Sequence, residues 1–209
     1  MSDPKHAGIL NPANLLTLSR VPLAFAYMWL FASGQVLAAL VALSVLELTD
    51  LLDGIVARKL GCVSDFGKLV DPFCDSFSRL TVFFTLASAP VATGRWESDP
   101  VIFEQLGAIA CSEVHAPLLP LWMPVVCLLR DLAVAFVRTV AAGKGVIVAA
   151  RASGKWKALV QGPVVIAITA LAWLAPAGAA AYAPWLMLAA TVVTAYSLVD
   201  YVAGNRHVL

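Results

Sequence analysis

The sequence predicts an all-α integral membrane protein with six transmembrane helices and a short N-terminal juxtamembrane helix before them. Two observations predict this fold class. The 209-residue chain is 61% hydrophobic and only 13% charged, which is about half the charged share of a soluble domain. Its apolar residues also gather in six runs, and a helix needs roughly 20 mostly apolar residues to cross a bilayer. The length favours a single domain over residues 1–209.

The six runs predict helices at about 15–31, 36–60, 66–89, 117–140, 158–174 and 185–199. The first run ends at Ser33-Gly34, and the second changes from apolar to acidic before a turn at 61–64. A long polar loop at 93–115 separates the third run from the fourth, and Pro176 with Gly178 breaks the fifth. Helices are expected throughout because lipid offers no water to satisfy backbone groups.

The basic residues predict the orientation in the membrane. In a six-helix arrangement nine of them fall on one side: Lys5, Arg20, Arg58, Lys59, Lys144, Arg151, Lys155, Lys157 and Arg206. The other side holds Arg95 with Glu97, Asp99, Glu104 and Glu113. Because loops rich in Lys and Arg stay in the cytoplasm, we expect a multi-pass protein of the cell's inner (plasma) membrane with both termini cytoplasmic.

Four aspartates stand beside the most apolar stretches: Asp50, Asp53, Asp71 and Asp75. The first pair is three residues apart and the second pair four, so each pair shares one helical face. An ionised Asp at the bilayer centre costs roughly 2.5–3.5 kcal/mol, so such a cluster needs cations. Carboxylates without His or Cys are ligands that suit Mg²⁺, Mn²⁺ or Ca²⁺.

The residues between these acids indicate a ligand site. Gly54 and Gly67 leave space beside the acids, either for helix packing or for a flat ligand. Arg58 can reach a phosphate with its fork of donors, and carboxylates, divalent metal and Arg together favour a pyrophosphate. A cation-coupled transporter also uses midplane carboxylates and is the alternative outside this reading, although it leaves the regular spacing unexplained.

The stretch 50–75 resembles the signature of the CDP-alcohol phosphatidyltransferase family, D-x2-DG-x2-AR-x8-G-x3-D-x3-D. Its eight fixed positions are filled by Asp50, Asp53, Gly54, Ala57, Arg58, Gly67, Asp71 and Asp75. The resemblance implies six transmembrane helices, a homodimer, and transfer of a phosphatidyl or similar group from a CDP-linked donor to an alcohol. It implies that Asp50, Asp53 and Asp71 hold two divalent ions, Mg²⁺ or Mn²⁺. Asp75 would contact a metal and take the proton of the acceptor hydroxyl.

The same resemblance assigns the donor. Gly54, Ala57 and Gly67 would accommodate the cytidine, and Arg58 would steady the pyrophosphate. The expected partners are CDP-diacylglycerol, an alcohol acceptor and membrane lipid, and no nucleic acid is expected.

A second group of charges lies on the fourth and fifth predicted helices: Arg130, Arg138, Arg151, Lys155 and Lys157. Arg130 and Arg138 are about two turns apart, and an Arg inside an apolar run needs a partner. The neighbouring Asp131 is expected on another helical face. The five cations predict a basic pocket for an anionic acceptor, most simply a phosphorylated polyol.

This region also resembles bacterial phosphatidylglycerophosphate synthases. The matching residues are Arg130-Asp131, Val137-Arg138 and Gly154-Lys155-Trp156-Lys157, with Asn11, Asn14, Leu16, Thr17 and Arg20 near the start. The resemblance implies sn-glycerol 3-phosphate as acceptor. Ser76 and Ala158 stand where that group usually has Lys and Thr, and inositol phosphate or serine are the alternative acceptors.

The predicted topology places Cys62 inside and Cys111 outside. We expect a membrane-impermeant thiol reagent to label a variant that retains Cys111 alone in intact cells, and not one that retains Cys62 alone. Cells permeabilised before labelling provide the control for reagent access. Labelling at Cys62 with none at Cys111 would reverse the orientation.

Overall fold

The computed structural model describes residues 12–60, 65–88, 118–144 and 152–206, and six α-helices fill most of these ranges. They are α1 (Pro12–Ala32), α2 (Val36–Leu60), α3 (Asp65–Ser88), α4 (Trp122–Gly143), α5 (Ala152–Leu174) and α6 (Pro176–Gly204). Six helices were expected, and the described residues contain six. That all six span a membrane stays a prediction. The predicted juxtamembrane helix, the turn at 61–64 and the loop at 93–115 lie outside the described residues.

The helices form two compact units. The first contains α1, α2 and α3 as far as Thr85, and the second contains α4, α5 and α6. In the first unit α1 packs along α2, and in the second α6 packs against both α4 and α5. A single domain over residues 1–209 stays a prediction.

Three of the described helices are long and apolar enough to cross a membrane. The qualifying spans are Asn14–Ala32 of α1, Trp156–Leu174 of α5 and Gly178–Gly204 of α6. The other three helices contain the four aspartates on α2 and α3, and Arg130 and Arg138 on α4.

The turn between α1 and α2 explains why the first helix ends at Ala32. Gly34 has φ of 77°, a left-handed conformation that glycine adopts without a Cβ clash. Its N–H donates to Phe31 O at 3.1 Å, and the Gln35 N–H donates to Leu30 O at 2.9 Å. These two bonds make a Schellman cap, so α2 begins directly at Val36.

Prolines explain two helix starts that differ from the prediction. The fourth helix begins at Trp122 rather than at 117, because residues before a proline avoid helical angles and Pro120 lies just before the helix. The sixth begins at Pro176 rather than at 185. Pro176 suits the first turn because no bond is lost there, and Pro184 is tolerated inside the helix, as prolines are in membrane helices.

The fifth helix begins at Ala152 rather than at 158. Its first turns are polar, which is why hydropathy alone missed them. Lys157 is buried and donates to Asp131 of α4 at 2.6 Å, and Ser153 donates to Asp200 of α6 at 2.6 Å. Charge pairing thus takes the place of apolar burial at this end of α5.

Candidate functional site

Acidic residues of α2 and α3 converge on one guanidinium of α1. Arg20 Nη2 lies 2.7 Å from Asp50 Oδ1 and 2.8 Å from Asp75 Oδ1. Arg20 Nη1 lies 3.5 Å from Asp71 Oδ1. Three of the four predicted aspartates are therefore together, and we call Asp50, Asp71 and Asp75 the acid cluster. Asp53 belongs to α2, but its side chain lies outside the described part of the chain.

Burial differs sharply between this arginine and its acids. The side chain of Arg20 is 1% exposed, whereas those of Asp50, Asp71 and Asp75 are 29%, 50% and 37% exposed. One turn earlier on α1, Thr17 donates to Asp71 Oδ1 at 3.3 Å. Arg20 is thus a buried counter-ion of the acid cluster. From the sequence it was placed only among the basic residues on one side of the membrane and in the resemblance near the start of the chain. The acids present their remaining surface outward.

A second arginine, which the sequence analysis did not select, lies against the same acids. Arg79 Nη2 lies 3.2 Å from Asp75 Oδ1 and 3.5 Å from Asp50 Oδ2. Arg79 Nη1 faces Glu47 Oε1 of α2 at 3.7 Å. Helical spacing in the sequence could have identified both Arg79 and Glu47. Arg79 is four residues after Asp75, and Glu47 three before Asp50, so each shares a helical face with a selected acid.

The carboxylate oxygens at this site suit a hard divalent cation. Four carboxylates, those of the acid cluster and Glu47, face two guanidinium groups, so acidic charge is in excess. The converging ligand atoms are oxygens, which Mg²⁺ and Mn²⁺ prefer. Among the described side chains, no three His, Cys, Asp or Glu residues surround one point closely enough to hold a metal alone. Asp53, the fourth predicted ligand, is not among those side chains.

The predicted donor residues are placed by backbone only. Gly54, Ala57 and Arg58 follow the acids along α2, and Gly67 precedes Asp71 on α3. Their side-chain positions are outside the described part. Their assignment to cytidine and pyrophosphate stays a prediction.

In the second unit, Asp131 is the centre of a polar cluster. Arg130 Nη1 donates to Asp131 Oδ1 at 2.9 Å, and Lys157 Nζ donates to the same oxygen at 2.6 Å. Arg130 and Asp131 are adjacent in α4 and lie on different helical faces, and the long Arg side chain still reaches its neighbour's carboxylate. Arg130 Nη2 also donates to Ser197 of α6 at 3.0 Å.

Of the other three predicted acceptor residues, the structure describes the side chain of Arg138. Arg138 is exposed on α4. Arg151 lies outside the described residues, and so does the side chain of Lys155 on α5. The structure therefore brings together two of the five predicted cations, Arg130 and Lys157.

Comparison with known proteins identifies one family. The family model for CDP-alcohol phosphatidyltransferase matches residues 10–196. The chain is 31% identical over 178 residues to "CDP-diacylglycerol--glycerol-3-phosphate 3-phosphatidyltransferase" of Bacillus subtilis, covering 78% of this chain and 77% of that protein. It is 32% identical over 204 residues to "Probable phosphatidylglycerophosphate synthase" of Mycobacterium tuberculosis, covering 95% of this chain and 83% of that protein.

The acid cluster predicts a large stability effect at Arg20. Replacing Arg20 with Met leaves three carboxylates with less counter-charge. Because these acids are 29–50% exposed, the cost is less than the about 3–5 kcal/mol of breaking a fully buried pair. We expect the Tm in detergent with chelator to fall by about 5 °C. The exposed Arg206 provides the matched control, and Arg206→Met should melt as the parent does. Equal melting of both variants would contradict the internal counter-ion role.

Proposed function

Because this chain belongs to the CDP-alcohol phosphatidyltransferase family, we propose that it transfers the phosphatidyl group of CDP-diacylglycerol to sn-glycerol 3-phosphate, giving phosphatidylglycerophosphate and CMP. The observation that carries the proposal is the convergence of Asp50, Asp71 and Asp75 from two helices. The names of the two relatives support the acceptor. The transporter alternative is set aside because the family consists of transferases.

The family uses divalent metal ions, and for this chain two Mg²⁺ or Mn²⁺ ions are proposed. Asp50, Asp53 and Asp71 would hold them, with Asp75 in contact. When bound, the ions would supply positive charge that neutralises the charge developing on the leaving phosphate. Among the described side chains at this site, four carboxylates face two guanidinium groups, which supports this assignment.

Asp75 is the proposed general base. Its side chain is 37% exposed, so a substrate hydroxyl can approach it, and a base must lie within hydrogen-bond reach of the proton it takes. The hydroxyl oxygen of the acceptor forms a bond to the phosphorus of the phosphatidyl group. The bond from that phosphorus to the CMP oxygen breaks, CMP leaves with the electron pair, and Asp75 receives the proton.

Donor recognition is assigned to the residues of the signature. Gly54, Ala57 and Gly67 are proposed to accommodate the cytidine, and Arg58 to donate to the pyrophosphate. Glycines at two of these positions let a ring lie near the backbone, because no side chain stands between them.

Acceptor recognition is assigned to Arg130, Arg138, Arg151, Lys155 and Lys157. Arg130 and Lys157 share the charge of Asp131, which reduces the positive charge that they offer to a substrate. Arg138 is exposed on α4. Of the five assigned cations, it is therefore the described one best able to meet a phosphate that arrives from solution.

The proposed setting is the inner (plasma) membrane of the cell, with all six helices spanning it and both termini in the cytoplasm. The excess of Lys and Arg on one side supports the orientation. A homodimer is proposed on the family resemblance.

CMP release tests the proposed function. Purified protein with CDP-diacylglycerol and Mg²⁺ should release CMP with sn-glycerol 3-phosphate, and much less with inositol phosphate or serine.

Chelation should abolish the release, and Asp75→Asn should lower kcat by about 10²–10⁴-fold, because an amide cannot take the proton. Release that persists after thorough chelation, or that requires serine instead, contradicts the proposal.

Arg138→Ala tests the acceptor site. A hydrogen bond to a charged group is worth about 1.5–3 kcal/mol, so the KM for sn-glycerol 3-phosphate should rise by about tenfold to a hundredfold, with little change for CDP-diacylglycerol. Arg206→Ala is the matched control and should leave both KM values unchanged. Inorganic phosphate should compete with the acceptor, and free glycerol should not. A rise confined to the donor KM would exclude Arg138 from the acceptor site.

A further inference from the structure

Arg79 lies behind the acid cluster and joins two helices. Its side chain is 7% exposed, and its Nη2 contacts both Asp75 Oδ1 of its own helix and Asp50 Oδ2 of α2. Its other terminal nitrogen, Nη1, lies 3.7 Å from Glu47 Oε1, which is an ionic contact longer than a hydrogen bond. One buried guanidinium therefore meets carboxylates on two helices, and three carboxylates in all.

The two oxygens of Asp50 meet different arginines. Oδ1 is 2.7 Å from Arg20, and Oδ2 is 3.5 Å from Arg79. A carboxylate with a cation at each oxygen is restrained from rotating about its terminal bond. Asp75 Oδ1 meets the same two arginines at 2.8 Å and 3.2 Å. The orientation of both proposed metal ligands thus depends on Arg79 as well as on Arg20.

We propose that Arg79, held in place by Glu47, is a positioning residue that fixes the Asp50 and Asp75 carboxylates in the orientation needed for divalent metal binding. The inference rests on the proposed function, because it takes these two acids as metal ligands. Arg79 is not a catalytic residue in this account. It is buried behind acids that are 29% and 37% exposed, so a substrate meets the acids first.

The chemistry of arginine makes this role specific. The guanidinium is a rigid planar fork whose two terminal nitrogens donate in different directions, whereas the ammonium of lysine is a single point charge. Arg79→Lys keeps the charge and removes the fork. Groups that orient metal ligands typically change metal affinity by 10–100-fold when mutated. If Arg79 acted only through its charge, the results would differ. Arg79→Lys would bind a divalent cation as the parent does, and Arg79→Gln would bind it more tightly.

The test is equilibrium Mn²⁺ binding to the purified full-length protein without donor or acceptor, followed by the electron paramagnetic resonance signal of free Mn²⁺. We expect Arg79→Lys to raise the Kd by about tenfold or more. Glu47→Asp retains the charge but shortens the reach to Arg79, and it should raise the Kd by a smaller factor. The double variant should bind as Arg79→Lys alone does, because Glu47 acts through Arg79. Arg206→Lys should bind as the parent does.

Two reference proteins separate this inference from the proposed function. Asp50→Asn should lose affinity if Asp50 is a ligand. If the parent binds no Mn²⁺, or if Asp50→Asn leaves the affinity unchanged, the proposed metal site itself is contradicted. A normal parent and a weakened Asp50→Asn, together with an unchanged Arg79→Lys, overturn only the role of Arg79. Additive effects in the double variant overturn the role of Glu47.

Folding is checked by elution volume and thermal unfolding of each variant. If Arg79→Lys does not fold, Glu47→Asp decides the question. Unchanged Mn²⁺ affinity in a folded Glu47→Asp then overturns the inference, and weakened affinity supports it.

Discussion

The pairing of buried charge is the constraint on which the rest of the structure depends. In an apolar chain each ionised group needs a partner, because burying a lone charge is costly. Arg20 of α1 is one such partner in the first unit, and its guanidinium reaches acids of both α2 and α3. Apolar surfaces can slide past one another, whereas these short contacts favour one register of the three helices. The same contacts bring carboxylates together with part of their surface exposed, which is the arrangement that a phosphoryl-transfer site with divalent ions requires.

In the second unit buried charges are also paired, but here one acid lies between two basic residues. The Asp131 carboxylate pairs with both Arg130 and Lys157, and Ser197 supplies one more contact to Arg130. Its lysines and arginines alone would make this region strongly basic. Because Asp131 pairs with two of them, part of that positive charge is already balanced inside the protein. An anionic acceptor would then gain most from an exposed cation, such as Arg138, and least from cations that must first leave an internal partner.

Periodicity made the helices and the acids predictable. Six apolar runs gave six helices, and the spacing of Asp71 and Asp75 placed them on one face, because both properties depend on residues near in sequence. The same spacing extends to Arg79, which could have been found by continuing the series. Arg20 could not have been found as the counter-ion of these acids, since its contacts join residues on separate helices. The early starts of α5 and α6 were missed because hydropathy does not register paired polar groups or a proline at a first turn. Asp53 and the donor residues stay predictions of the signature.

The location of Mn²⁺ in crystals of the protein tests the central claim most directly. Anomalous diffraction at the manganese absorption edge identifies the metal independently of any assay of turnover. The account predicts a peak beside the carboxylates of Asp50, Asp71 and Asp75, at about 2.0–2.6 Å from their oxygens, as for hard divalent ions with oxygen ligands. A peak elsewhere in the protein, with none beside these three carboxylates in the presence of Mn²⁺ and donor, would contradict it.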